Sequence, residues 1–237
     1  MAEGHVPNGT NRLLFALGES AYRELAPHLE TVSLTIRQKL YEPNQPIENV
    51  YFPINGVVSM LAHMEGGGLI EVATVGNEGM VGLPLFLGAD VTPGTSFSQV
   101  PGDALRMPAN AFRNAIARNG SFTKILHRYT QALMVQISQG TACNRVHSLE
   151  ERCARWLLLC HDRVGADEFM LTQEFLSQML GVRRASVNLV AATFQKAGFI
   201  EYSRGKIRIS NREGLESASC RCYTVIREEY DRMLEPL

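Results

Sequence analysis

Residues Leu171 to Ser210 read LTQEFLSQMLGVRRASVNLVAATFQKAGFIEYSRGKIRIS, and the spacing of their apolar residues predicts the fold of this part of the chain. A first helix is predicted to begin at Thr172, whose hydroxyl can accept a hydrogen bond from a free amide of the first turn. Gly181 should end it, because glycine readily adopts the left-handed conformation. A second helix is predicted over residues 183–196, before Gly198. The stretch therefore predicts two helices joined by a tight turn.

A hairpin is predicted to follow the second helix. Residues 199–202 and 206–209 alternate apolar and polar side chains around Ser203-Arg204-Gly205, which is typical of two paired strands. Two helices joined by a Gly-containing turn form the arrangement that places a second helix in the major groove of DNA. We interpret the hairpin as the wing of a winged helix-turn-helix.

The charge distribution favours the same interpretation. Residues 182–212 contain seven Lys or Arg and one acid, Glu201, so this window carries +6. The whole chain carries −1, which leaves −7 on the remainder. A basic module on an acidic body suits contact with phosphates. For the hairpin alone, a solvated charged surface is about as plausible as nucleic-acid binding. Together with the two-helix pattern, the charge favours nucleic-acid binding.

The rest of the chain predicts an α+β protein. Short helices are expected over residues 13–29, and residues 32–107 alternate in polarity between Gly and Pro, which is typical of a compact β-barrel or roll. A long helix is predicted from Ser121 to about Val146, with an apolar stripe at helical spacing. Its members are Phe122, Ile125, Leu126, Tyr129, Leu133 and Ile137. The sequence Ser148-Leu149-Glu150-Glu151 predicts a capping box that starts another helix, ending near Cys160.

Several segments of the chain resemble sequences of the Crp/Fnr family of bacterial transcription factors. The C-terminal match rests on residues 171–184, 196–200 and 202–207. Residues 49–59 resemble the early β-roll signature of the family, and residues 75–82 resemble the turn that enters its effector pocket. The resemblance covers about residues 13–215.

The resemblance implies a domain organisation for the whole chain. We expect a cyclic-nucleotide-binding-like, double-stranded (jelly-roll-like) β-roll over residues 1–120, a dimerisation helix and hinge over 121–147, and a winged helix-turn-helix domain over 148–237. Periodicity alone favours a core role for the stripe of the long helix, whereas the resemblance implies the dimer seam. Gly140, Ala142 and Cys143 are small enough for a partner helix to approach closely.

The resemblance also implies which residues contact DNA. The base-reading positions of the family fall on Arg184, Ala185 and Leu189, of which only Arg184 can pair bidentately with guanine. Ser186 and Asn188 are candidates for secondary readout, although Ser186 could equally bind a phosphate or its own backbone. The expected phosphate contacts are those of Thr172, Gln173, Arg183, Arg204 and Lys206.

No cofactor is expected from the sequence, and the effector is unknown. Family members that bind a cyclic nucleotide carry a Glu and an Arg in the segment after Gly82, whereas residues 79–105 contain no Lys or Arg and Leu83 stands at the Glu position. A buried phosphate without a cation is costly, so cAMP is not expected. The roll could hold another small molecule or serve only as a scaffold.

An iron–sulfur cluster and a metal site are not expected either. The five cysteines lie at 143, 153, 160, 220 and 222, so none is N-terminal as in the family's iron–sulfur sensor. Cys220 and Cys222 lack the C-x-x-C spacing of a zinc site, and the six histidines show no ligand spacing. Redox sensing or metal binding at the C-x-C pair is left as the minor alternative.

We predict that the chain is a homodimeric transcription regulator that acts in the cytoplasm. Its partners would be double-stranded DNA, a second copy of the chain and RNA polymerase. No apolar run is long enough to span a membrane, and the polar first dozen residues lack a signal-like core and should be frayed. No enzyme motif is present. Two alternatives stay open: a small-molecule sensor that acts through protein partners, and an enzyme with Cys160 or Cys222 as nucleophile.

Overall fold

The computed structural model of the protein describes residues 10–236. The prediction that the first dozen residues are frayed falls largely outside this range. The N-terminal half begins with two short helices, Arg12–Phe15 (α1) and Glu19–Leu25 (α2). Seven strands follow, and they form two antiparallel sheets. The strands are Glu30–Leu34 (β1), Lys39–Tyr41 (β2), Asn49–Pro53 (β3), Val57–His63 (β4), Leu69–Val75 (β5), Thr95–Val100 (β6) and Gly102–Pro108 (β7).

The two sheets enclose an apolar core and form the predicted β-roll. One sheet has the order β1-β7-β3, and the other has the order β2-β6-β4-β5. Val50, Phe52, Val58 and Met107 are buried between them. Two short helices that the sequence did not predict belong to this domain: Leu83–Phe86 (α3) and Ala109–Arg118 (α4).

The long helix is Gly120–Val146 (α5), as predicted, and it begins where the Asn119 side chain accepts from the Phe122 amide. The helix Leu149–Val164 (α6) starts with the predicted capping box, in which Ser148 and Glu151 bond reciprocally. It ends at Val164, four residues beyond Cys160, and the next residue, Gly165, adopts the left-handed conformation. The break between α5 and α6 lies within the predicted hinge, residues 145–148.

The apolar stripe of α5 is buried within the chain itself. Five of its six residues are at most 3% exposed, and Ile137 is partly buried. The stripe therefore packs in the core of this chain, which is the role that periodicity alone favoured. The roll covers it on one side, where the Tyr129 hydroxyl donates to the Met80 carbonyl at 2.9 Å. A C-terminal helix, Cys222–Met233 (α10), packs along it as well, with the rings of Tyr129 and Tyr230 6.4 Å apart.

The C-terminal domain contains the two predicted helices and the hairpin. They are Gln173–Leu180 (α7), Arg184–Lys196 (α8), Ile200–Ser203 (β9) and Lys206–Ile209 (β10). A third strand, Glu168–Met170 (β8), pairs with β10 and was not predicted, because three residues are too few to show alternation. The helix Arg212–Ala218 (α9) connects the hairpin to α10. Among the described residues, no helix is both long and apolar enough to cross a membrane.

Candidate nucleic-acid interface

Helix α8 presents a continuous exposed face. Val187, Val190 and Phe194 are buried against the domain, which fixes the rotation of the helix. The opposite face exposes Arg184, Ala185, Asn188 and Leu189, the last of them 72% exposed, and Ser186 lies at the edge of this face, partly buried. All the predicted base-reading positions of α8 therefore lie on one accessible side of the helix.

The start of α7 and the wing turn lie side by side. The Thr172 hydroxyl accepts from the Phe175 amide at 3.1 Å, as expected of an N-cap. The Leu171 amide donates to the Gly205 carbonyl at 2.9 Å, which ties the turn of the wing to this helix end. Arg204 and Gly205 both have positive φ, which is the type I′ geometry that suits a two-residue hairpin. The free amides of α7 and the Arg204 guanidinium can thus approach the same stretch of phosphates.

Tyr202 joins the wing to the helices. Its hydroxyl donates to the Leu171 carbonyl at 2.5 Å, and its amide donates to the Gln195 side chain of α8. Burial raises the pKa of Tyr202, while the Gln173 backbone and the nearby charge of Arg184 act in the opposite direction. Tyr202 thus lies where the start of α7, Arg184 and the wing meet, and sequence reasoning assigned it no role.

Three of the seven basic residues in the 182–212 window are paired with acids outside that window. Lys206 lies 3.0 Å and Arg208 3.6 Å from the Glu168 carboxylate. Arg212 lies 2.7 Å from Asp162 and 2.9 Å from Glu216. The sequence window therefore overstates the positive charge available to a ligand. Among the described residues, Arg183, Arg184, Lys196 and Arg204 are in none of the ion pairs.

The C-terminal domain packs directly against the four-stranded sheet of the roll. The rings of Phe175 on α7 and Phe97 on β6 lie 5.5 Å apart. The Trp156 indole donates to the Glu71 carboxylate at 2.8 Å, and the Ser59 hydroxyl donates to the same carboxylate at 2.7 Å. Burial raises the pKa of Glu71 to about 7, although these two hydrogen bonds oppose the shift. The carboxyl group therefore titrates near neutral pH at the junction of roll, α6 and α7.

A second connection between the domains is a buried ion pair. Arg163 of α6 lies 2.9 Å from Glu78 of the roll, and both side chains are at most 5% exposed. Its guanidinium also donates to Gln136 of α5 at 2.8 Å and to the Thr74 hydroxyl. Burial alone would lower the pKa of Arg163, but the Glu78 carboxylate more than offsets this and raises it. The pair joins the roll, α5 and α6.

The turn over residues 75–82 is built to admit side chains from the helices. A Cβ on Gly76 would lie 2.4 Å from the Arg163 side chain, and a Cβ on Gly79 would lie 2.4 Å from the Tyr129 ring. Both glycines are therefore required by close packing. Residues 75–82, which resemble the turn that enters the effector pocket of the family, are thus also the point where the roll contacts α5 and α6.

Two cavities lie at positions relevant to an effector. One, of about 340 Å³, is lined by Tyr41, His63, Val72 and residues 92–95, and contains no Lys or Arg. The other, of about 260 Å³, lies between β5, α5, α6 and α7. It is lined in part by Glu71, Gln136 and Arg155. The Nε atom of Arg155 is buried there without a hydrogen-bond partner among the described residues.

The comparisons with known proteins agree with this architecture. Residues 31–119 match the cyclic nucleotide-binding domain, and residues 151–218 match the Crp-like helix-turn-helix domain. The chain is 25% identical over 205 residues to the CRP-like cAMP-activated global transcriptional regulator of Mycobacterium tuberculosis, covering 83% of this chain and 91% of that protein.

Solved structures show the same fold at lower identity. A transcriptional regulator of the Crp/Fnr family from Eubacterium rectale aligns with a TM-score of 0.64 at 18% identity, covering 87% of this chain and 96% of the other. FixK2 from Bradyrhizobium japonicum aligns with a TM-score of 0.67 at 16% identity, covering 81% and 98%. The two matched domains in this order define a regulator with a sensor-like roll and a DNA-binding domain. The chain belongs to the Crp/Fnr family of transcription regulators, which is not a family of enzymes.

Proposed function

We propose that the protein acts as a homodimer and binds a two-fold symmetric DNA site in a sequence-specific manner. The observation that carries this proposal is the exposed face of α8, on which Arg184, Asn188 and Leu189 point away from the domain core. Two recognition helices related by a two-fold axis would enter successive major grooves, with half-sites about 10 bp apart or a multiple of it.

The residues of the interface divide by role. Arg184 pairs with guanine, and Asn188 and Ser186 provide secondary readout. Leu189 and Ala185 contact thymine methyl groups, because their side chains cannot hydrogen-bond. The phosphate contacts are those of Thr172, Gln173, Arg183, Arg204 and Lys206. Lys206 must share its charge with Glu168, so Arg204 at the tip of the wing contributes more to affinity.

The dimer forms through the face of α5 that the rest of the chain leaves exposed. This face contains Lys124, Gln131, Met134 and Ser138, and Met134 is 60% exposed. Of the small residues singled out in the sequence, Ala142 is exposed and Gly140 borders a cavity, but Cys143 is turned inwards. Two copies of α5 packed along this face would place the two helix-turn-helix domains on one side of the dimer.

The effector differs from cAMP. The curated relative from Mycobacterium tuberculosis is cAMP-activated by name, but residues 79–105 of this chain offer no cation to a cyclic phosphate. The cavity that borders Glu71 and Arg155 is the better site for an effector, because a ligand there would contact the roll, α5 and the DNA-binding domain together. A thermal shift with 1 mM cAMP should leave the melting temperature unchanged; a clear rise would contradict this part of the proposal.

The remaining partners follow from the function. A transcription regulator acts in the cytoplasm of a bacterial cell, and activation would require a surface for RNA polymerase. No iron–sulfur cluster of the family's N-terminal kind is involved, since no cysteine precedes Cys143.

The proposal is tested by selection from random duplexes. Purified protein should enrich a palindromic sequence in which guanine occupies the position read by Arg184. The rival function, a small-molecule sensor that docks onto proteins through its basic module, predicts weak duplex binding without sequence preference. Failure to enrich any sequence over several rounds at low salt would favour that rival and overturn the proposal.

A further inference from the structure

Three of the five cysteines meet in one place, together with a histidine. Cys143 lies in the last turn of α5, and His147 follows this helix directly. Cys220 lies in the turn between α9 and α10, and Cys222 is the first residue of α10. Four potential metal ligands thus come from two segments about 75 residues apart in the sequence, as their contact pairs Cys143–Cys220 and His147–Cys222 show.

We propose that Cys143, His147, Cys220 and Cys222 bind one zinc ion. Their ligand atoms all lie within 4.8 Å of one another. The Sγ atoms of Cys143 and Cys220 are 3.4 Å apart, and Cys222 Sγ lies 3.7 Å from His147 Nδ1. In a tetrahedral zinc site with Zn–S near 2.3 Å and Zn–N near 2.0 Å, adjacent ligand atoms lie about 3.5 to 3.8 Å apart. The four side chains therefore need only small movements to surround the ion.

The surroundings of the thiols favour a structural site. The three cysteines are at most 6% exposed, and they form a buried cluster separate from the main apolar core. Three thiolates and one imidazole complete the coordination of zinc and leave no position for water, which is typical of structural sites. The compact spacing suits a single ion, whereas the thiolates of a multi-iron cluster bind different irons and must lie further apart.

Binding involves no change of oxidation state. Zinc replaces the thiol protons of the three cysteines, which pass to solvent, and the neutral imidazole binds through Nδ1. The resulting centre carries a formal charge of −1. Zinc would tie the hinge between α5 and α6 to the start of α10, so the C-terminal segment is held against the helix that joins the two domains.

Sequence reasoning missed this site because it considered Cys220 and Cys222 alone. The signal that could have revealed it is the spacing of Cys143 and His147, which are four residues apart and so lie on one side of a helix end. No ligand spacing was expected of the histidines, whereas the His147 ring lies within 4.8 Å of all three thiols. Cys143 and His147 come close to Cys220 and Cys222 only because α10 packs along α5.

The test uses the full-length protein without an affinity tag, reduced and freed of metal by a chelator. Elemental analysis after addition of zinc should give about one zinc per chain, and cobalt should give the visible absorption of a tetrahedral thiolate complex. Saturating zinc, at about 100 times its dissociation constant, should raise the melting temperature by roughly 5 to 10 °C. The variants Cys143→Ala, Cys220→Ala and Cys222→Ala should each weaken zinc binding at least about 100-fold.

The control is Cys153→Ala, which removes a buried thiol of α6 outside the cluster. It should bind zinc as the wild type does. Cys222→His should retain the cobalt spectrum in altered form, because a ligand remains, and this variant separates ligation from misfolding. The proposal is overturned if the reduced wild type takes up no zinc at micromolar concentration, or if Cys153→Ala loses zinc as Cys222→Ala does. The proposal would also be overturned if Cys143 and Cys220 formed a disulfide in the presence of zinc and the isolated protein contained no metal.

Discussion

The positive charge of the wing is reduced by Glu168, an acid that lies about forty residues before Lys206 and Arg208 in the sequence. Glu168 on β8 is within 4.0 Å of both Lys206 and Arg208, because β10 is the central strand of its sheet. These two cations hold the pKa of Glu168 below its usual value. The carboxylate stays ionised and competes with phosphates for the two side chains.

Replacement of Glu168 by Gln should therefore strengthen DNA binding. We expect affinity to rise about 3- to 10-fold near 100 mM salt, and the dependence of log K on log salt to steepen by about one to two units. Fluorescence anisotropy over a salt series measures both quantities. Glu201→Gln is the matched control, since it removes an exposed acid of β9 that forms no ion pair among the described residues. Equal effects of the two variants would show that the pairing has no influence.

Glu71 makes the stability of the domain junction dependent on pH. Its pKa is raised to about 7 in the folded chain, chiefly by burial, from an ordinary value near 4.5. The folded state therefore binds the proton more tightly than the unfolded state. Its contribution is fully present below about pH 4.5 and is lost as the pH rises through 7.

The variant Glu71→Gln should remove this dependence. Between pH 5 and pH 8 the wild type should lose about 1 to 3 kcal/mol of unfolding free energy relative to the variant. Gln retains an acceptor for Trp156 and can donate to Ser59, so the packing is conserved. Urea unfolding at several pH values provides the comparison. Parallel curves for the two proteins would mean that Glu71 is ionised throughout.

Local signals in the sequence predicted the helix-turn-helix and the hairpin. Thr172, Gly181 and Gly198 act at the positions where caps were expected, and Gly205 adopts the positive φ that the turn requires. The capping box at Ser148 was likewise confirmed. Such features depend on a few adjacent residues, so a single sequence is enough to reveal them.

Contacts between segments that are distant in the sequence could not be predicted in the same way. The apolar stripe of α5 is compatible with burial in one chain or between two, and the chain itself covers it only because the roll and α10 both pack against this helix. The same holds for Glu168 and for the cysteine cluster. In each case the partner is brought close by an element whose place in the fold no local pattern indicates.

The buried pair of Arg163 and Glu78 should dominate the connection between the roll and α6. Arg163→Ala leaves the Glu78 carboxylate buried without its cation, which costs about 3 to 5 kcal/mol of unfolding free energy. Arg12→Ala, which breaks an exposed ion pair with Asp231, should cost about 1 kcal/mol or less. Urea unfolding at constant pH measures both. A loss below 1 kcal/mol for Arg163→Ala would show that the pair contributes little to this connection.

The dimer should depend on the exposed face of α5. Met134→Arg places a charge at the centre of this face, where two helices of opposite copies would meet. Light scattering should give a mass near 26.3 kDa for the variant and twice that for the wild type. Asn114→Ala, which changes an exposed residue of α4 outside this face, should leave the dimer intact. A variant Met134→Arg that stays dimeric would place the interface elsewhere.

The proposed function depends above all on Arg184, which we expect to read a base from the exposed helix α8. The affinities of wild type and Arg184→Ala should be compared on the selected duplex and on a random duplex. We predict a loss of about 1 to 3 kcal/mol on the selected site only, with relaxed preference at one base position in each half-site. Arg204→Ala should weaken binding to both duplexes alike. An equal loss on both duplexes for Arg184→Ala would contradict the assignment and reduce Arg184 to a phosphate contact.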